Sequence, residues 1–191
     1  MAHHLLFEGA ELAGKSWLMS QLYSRLEPKY HNSPFVLDGC HWLNADIGVF
    51  GTQAGPALAE AYVRILEILP ASNLLVEKLH ISDAAYQELY QGRKSDYTGL
   101  EARLKALDFK IVLVLFPEDE ELLAGRLADR LRLYPHYDRI KHAPAWYIEQ
   151  QRLYRRLCSV SELPVLELTA AVLPDQSLVN KLLTWIGEEQ E

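Results

Sequence analysis

Short continuous apolar runs alternate along this chain with longer segments of helical period. The run at residues 4–7 suits a buried strand, and a helical pattern opens at Ser16 through Trp17, Leu18, Leu22 and Leu26. Residues 28–34 lie between two prolines and read as a loop. Residues 35–38, apolar and ending in an acid before Gly39, predict a second strand that delivers Asp38 to its C-terminal end. The stretch at 40–56, with His41, Trp42, Gly48, Gly51 and Gly55, has no clean period and reads as a long connection, often a binding loop. Helical spacing returns at Leu58, Tyr62, Ile65 and Leu69 and stops before Pro70; residues 73–76 are a third strand, followed by Glu77.

Helices at 82–90 and 99–107 flank a polar stretch around 92–97. The clearest strand is 109–116, apolar except for Lys110, β-branched at Ile111, Val112 and Val114, and ended by Pro117. A long helix at 118–134 carries Leu123, Leu127, Leu131 and Tyr134 on one face, with Arg126 and Arg130 four residues apart on another. Prolines break the pattern at 135–144. A helix to about 158, a strand at 164–168 and an amphipathic helix at 175–186 follow. Five short buried strands separated by helices predict an α/β protein, a five-stranded parallel sheet with helices on both faces, forming one domain over 1–191. Ligands of such sheets bind beyond the C-terminal strand ends, where Glu8, Asp38 and Glu77 are expected to gather.

Composition narrows the field. The chain has 191 residues, 49% hydrophobic and 24% charged, ordinary for a globular domain, and no apolar run approaches a membrane span. No signal-peptide plan is visible, and Cys40 and Cys158 lack metal-like spacing, so a cytoplasmic protein with free thiols is expected. With 19 basic against 26 acidic side chains the net charge is −7, which disfavours nucleic acid as partner. One basic patch, Arg126, Arg130, Arg132, Arg139 and Lys141, is either a solvated face or a site for a small anion.

The chemistry is concentrated near the start. FEGAELAGKSW, residues 7–17, contains G-x-x-x-x-G-K-[ST] at every required position, flanked by strand and helix in the required order. Two glycines let the backbone curl so that N–H groups face a phosphate, Lys15 reaches the β- and γ-phosphates, and Ser16 ligates magnesium. The expected ATP-binding set is Gly9, Ala10, Glu11, Leu12, Ala13, Gly14, Lys15, Ser16 and Trp17.

Beyond the loop, FEG, VEKLHISDAAYQ (76–87), GRLADR (125–130) and YDRIKHAPAWYIEQQRLYRRL (137–157) resemble segments of the P-loop kinases of the thymidylate kinase and deoxynucleoside kinase group. The resemblance implies a nucleotide-kinase-like P-loop fold with an arginine-bearing lid at about 126–143. It implies magnesium-dependent transfer of the γ-phosphoryl group of ATP to a small acceptor, a nucleoside or nucleotide, with a homodimer allowed. The third strand would lie beside the first, so that Glu77 sits near magnesium; a capping carboxylate is the alternative for this residue. Asp38 would be the catalytic base, and Arg126 and Arg130 would stabilise the transferring phosphoryl group, an effect worth a factor of roughly 10³–10⁵ for arginine fingers.

The chain departs from that group in two places. L-D-G-C-H-W stands where an R-E-P-like segment is usual, and Glu77 and Lys78 stand where the group has D-R. Lys78 replaces a bidentate clamp with a point charge. His41 and Trp42 fall where related kinases bind the acceptor's ring, and flat walls suit a planar ligand. An acceptor of another kind, a hydroxylated metabolite or antibiotic, or a nucleotide-binding regulatory protein without catalysis, is the competing expectation.

Overall fold

In the computed structural model, which describes residues 2–188, five strands form one parallel sheet. In chain order the elements are β1 (His4–Glu8), α1 (Lys15–Tyr30), β2 (Cys40–Asn44), α2 (Gly55–Leu66), β3 (Asn73–Glu77), α3 (His80–Gln91) and α4 (Thr98–Ala106). Then come β4 (Phe109–Leu115), α5 (Glu120–Leu133), a 3₁₀ turn at Pro135–Arg139, α6 (Pro144–Cys158), β5 (Val165–Thr169) and α7 (Gln176–Ile186). The sheet order is β2-β3-β1-β4-β5.

Alternation along each strand sends side chains to two cores. Leu5 and Phe7 pack under α1 and α7 with Leu18, Leu22, Val179 and Leu182, whereas Leu6 packs on the other face with Leu74, Val76, Val63 and Leu104. Each such fully buried side chain contributes roughly 1.5–3 kcal/mol. β1, β3 and β4 have neighbours on both sides and cover on both faces, which is why they read as unbroken apolar runs. No helix among the described residues is long and apolar enough to cross a membrane.

The second strand differs from expectation. It is Cys40–Asn44, in register with β3 from Cys40 opposite Asn73 to Asn44 opposite Glu77. Residues 35–38 are instead a loop before it, with Phe35 92% exposed. Two contacts that sequence does not display fix this register: Glu27 Oε2 accepts the Cys40 amide at 2.8 Å, and Asn73 Nδ2 donates to the Gly39 carbonyl at 2.6 Å. β2 is also an edge strand, half exposed, so it lacks the apolar signature of its neighbours. α1 continues through Pro28 rather than stopping there.

Candidate active site

Backbone conformation shapes the loop between β1 and α1. Gly9, Leu12 and Gly14 all have positive φ, at 136°, 64° and 94°. Such turns make concavities of backbone N–H groups, and the N-terminus of α1 opens on this one. Gly9 is required for a second reason: a Cβ there would lie 2.3 Å from the carbonyl oxygen of Val114 in β4. Ala10 and Ala13 are fully buried, and Trp17 is partly buried against the core under α1.

Lys15 Nζ donates to the carbonyls of Gly9 and Ala10, each at 2.8 Å. Burial, and secondarily the charge of Lys78, lower its pKa to about 8. Because β3 pairs with β1, Phe7 opposite Glu77, the end of β3 lies against the loop. Ser16 Oγ donates to Glu77 Oε1 at 2.9 Å, so the two expected metal ligands are brought together. A hydroxyl and a carboxylate offer the hard oxygen donors that magnesium takes.

Lys78 follows with φ 59° and donates its amide to Phe7 O at 3.0 Å. Its Nζ bonds Asp46 Oδ2 at 2.6 Å and Tyr86 OH at 3.0 Å. Burial alone would lower the Lys78 pKa, but Tyr86 and Asp46 outweigh it and raise it. Tyr86 itself is pushed up to about 12, chiefly by burial. Asp46 sits two residues past β2, with Oδ1 accepting the Gly48 amide at 3.0 Å.

These groups line a cavity of about 540 Å³ that includes Lys15, Ser16, Asp46, Glu77, Lys78 and Arg130. A second cavity of about 440 Å³ shares Glu11, Asp46 and Ile140 with it, and is walled by Phe50, Tyr86 and Tyr90 with Arg139 and Lys141. A third, about 450 Å³ and more apolar, lies on the other side of the loop between Leu12, Leu122, Arg126 and Leu173.

The expected acids and arginines are not all here. Asp38 stands at the opposite end of β2, where it accepts the amides of Asn32 and Ser33 at 2.9 and 3.1 Å and contacts His31. These backbone bonds, the Asn32 amide foremost, hold its pKa below the usual carboxylate range. It borders neither cavity beside the loop; the acids that border both are Glu11 and Asp46, and Glu77 lines the larger. His41 and Trp42 are inside β2 instead of after it, and Asn44 is the strand residue that reaches the cavity.

Glu8 is fully buried and serves α3: it accepts the Leu79 amide at 2.8 Å and Ser82 Oγ at 2.5 Å, with its pKa raised by burial. Arg126 donates to the carbonyls of Leu12 at 2.9 Å, Ala170 at 2.5 Å and Ala171 at 3.1 Å, so it braces the loop from behind. Arg130 alone of the pair lines the larger cavity, its guanidinium about 5.6 and 5.5 Å from the ring centres of Tyr134 and Tyr137. Tyr137 OH in turn donates to the Glu11 carboxylate, and Glu11 N donates to Gln150 at 3.0 Å.

Sequence reasoning missed Asp46 and Glu11's partner Tyr137. An acid within a glycine-bearing connection was the available signal for the first; the second depends on a fold-back of 126 residues in sequence.

No family model matches the chain, and no curated protein matches it in sequence. Solved structures do match in shape. The YorR protein of Bacillus subtilis, solved in complex with phosphorylated GDP, superposes with a TM-score of 0.63 at 14% identity, covering 95% of this chain and 94% of that one. Deoxyadenosine kinase from M. mycoides, with dCMP and dCDP as products, gives 0.56 at 9% identity over 96% and 98% of the two chains. The same enzyme with bound dATP gives 0.55 at 10% identity over 97% and 100%. At these identities the likeness establishes architecture: the chain has the five-stranded parallel fold of P-loop kinases.

Proposed function

We propose that this protein is a magnesium-dependent kinase that moves the γ-phosphoryl group of ATP to a small acceptor, a nucleoside or nucleotide, within the thymidylate kinase and deoxynucleoside kinase group. The observation that carries this reading is the convergence of Lys15, Ser16, Glu77, Lys78 and Asp46 on one cavity that opens into an aromatic-walled one. A phosphate-binding loop without an acid and a second compartment would serve equally for binding alone.

In this reading the loop amides and Lys15 hold the triphosphate, and the apolar cavity beside Arg126 takes the donor base. Ser16 and Glu77 would hold magnesium, which supplies charge neutralisation on the phosphate oxygens when bound. The acceptor occupies the space between Phe50, Tyr86 and Tyr90, with its hydroxyl toward Asp46. Asp46 takes the hydroxyl proton as the acceptor oxygen bonds to the γ-phosphorus and the bond to the ADP oxygen breaks. Lys78 positions Asp46, and Arg130 offers charge to the equatorial oxygens. Arg139 and Lys141 at the rim supply the cations that an acceptor phosphate needs.

The test is acceptor-dependent ADP release from ATP and magnesium across nucleosides, monophosphates and hydroxylated non-nucleosides. Stimulation by a nucleoside or nucleotide is expected. Stimulation by the non-nucleosides only moves the assignment to the competing substrate class, and tight ATP binding with no stimulation by any acceptor refutes the kinase reading.

A further inference from the structure

At the far end of α1, three side chains converge that phosphoryl transfer does not use. Glu27, His31 and Asp38 each point a donor atom into one small space, and the three atoms lie within 4.8 Å of one another. The helix rise sets Glu27 about 16 Å along α1 from Ser16, so this cluster is separate from the phosphate loop.

The chemistry of the cluster is unbalanced as it stands. Glu27 is only 7% exposed, and its buried Oε1 makes no well-formed hydrogen bond among the described residues. His31 Nδ1 faces both carboxylates, 2.9 Å from that oxygen and 3.0 Å from Asp38 Oδ1, and pairs with them when the imidazole is protonated. One imidazole nitrogen cannot donate a single proton squarely to two carboxylates, whereas a cation placed between them would be shared by all three groups. The carboxylates are held in place by backbone: Glu27 Oε2 accepts the Cys40 amide, and Asp38 Oδ1, the oxygen that faces His31, accepts the amides of Asn32 and Ser33, the latter shared with Oδ2. Both carboxylates are therefore oriented from outside, as outer-shell bonds orient metal ligands.

We infer that Glu27, His31 and Asp38 form a binding site for a divalent transition-metal ion of the Zn²⁺ type, with three protein ligands and further positions for water. An imidazole nitrogen with two carboxylate oxygens is a donor set for zinc and its neighbours, and a poor one for magnesium, which prefers oxygen alone. Spacing supports it. Glu27 and His31 are four apart at the end of α1, on one face, and Asp38 returns across the 32–39 loop to complete the third side. The metal would tie the end of α1 to the start of β2. This site does not depend on the kinase reading, and its test does not measure activity.

The experiment uses Zn²⁺ alone, added to the full chain without nucleotide, in competition with a chromophoric chelator and in the presence of excess magnesium. One equivalent is expected to bind. His31→Gln, an exposed position where the fold should tolerate the change, and Asp38→Asn should each weaken binding by more than about tenfold, the smaller end of what losing even an outer-shell partner costs. Glu77→Gln should leave it unchanged. Absence of a zinc equivalent that survives the magnesium excess overturns the site, as does a loss of zinc that follows Glu77→Gln while His31→Gln still binds.

Discussion

Lys78 Nζ holds Asp46 Oδ2 at 2.6 Å across the mouth between the two cavities, joining the residue after β3 to the loop after β2. The pair sets a carboxylate beside the phosphate loop and fixes its direction, while the opposite end of β2 carries Asp38 away from it.

Asp46→Asn is therefore expected to cut turnover by at least about a hundredfold, the scale of general-base loss, with ATP affinity changed less than about twofold. Asp38→Asn should leave turnover intact. Coupled ADP release and calorimetric ATP titration on both variants decide it, and equal turnover for Asp46→Asn and wild type removes the residue from the role.

Lys15 gives a pH dependence with a definite sign. Its pKa in the ligand-free protein is about 8 because burial, then Lys78, disfavour the ammonium. A triphosphate favours the ammonium and raises that pKa, so binding takes up a proton. ATP affinity should be full below about pH 8 and weaken above it, toward tenfold per pH unit. Folding responds the other way: the unfolded ammonium persists to about 10.5, so the cost of burying it fades as pH rises from about 8 toward 10.5. Calorimetry from pH 6.5 to 9.5 checks the first effect, and a flat profile for wild type would count against it; Lys15→Ala should be flat.

Ser16 and Glu77 are predicted to act as one unit. Either Ser16→Ala or Glu77→Gln should abolish the strengthening of ATP binding by magnesium, and the double variant should be little worse than the singles. Additive losses would show that the 2.9 Å contact is not a shared ligand pair.

Tyr137→Phe removes the hydrogen bond to the Glu11 carboxylate. A bond to a charged acceptor contributes roughly 1.5–3 kcal/mol, so a lowered Tm and faster amide exchange over residues 134–142 are expected. Unchanged exchange there would mean that the segment is held by Arg130 and its tyrosine stacking instead.

Much of this was legible in the chain, for a physical reason. β1, β3 and β4 are buried on both faces, so continuous apolar runs mark them, and the glycine loop needs fixed residue types at fixed spacing. The edge strand β2 needs neither, and its register comes from Glu27 and Asn73, each far from it in sequence. Phe35, Val36 and Leu37 mimic a strand by composition while standing in solvent. The error at Asp38 follows from that single displacement, since moving the strand later by a few residues exchanges one strand end for the other. Arg126 is expected in a lid from the resemblance of GRLADR, but only tertiary structure reveals that its guanidinium is occupied by carbonyls.

That occupation has a mechanical meaning. Three hydrogen bonds from Arg126 weld α5 to the phosphate loop and to the turn after β5, so the helix behaves as part of the stationary frame. In the proposed kinase, a lid closing over substrate would therefore pivot downstream of α5, at Tyr134, where helical backbone gives way to the short turn carrying Tyr137 and Arg139.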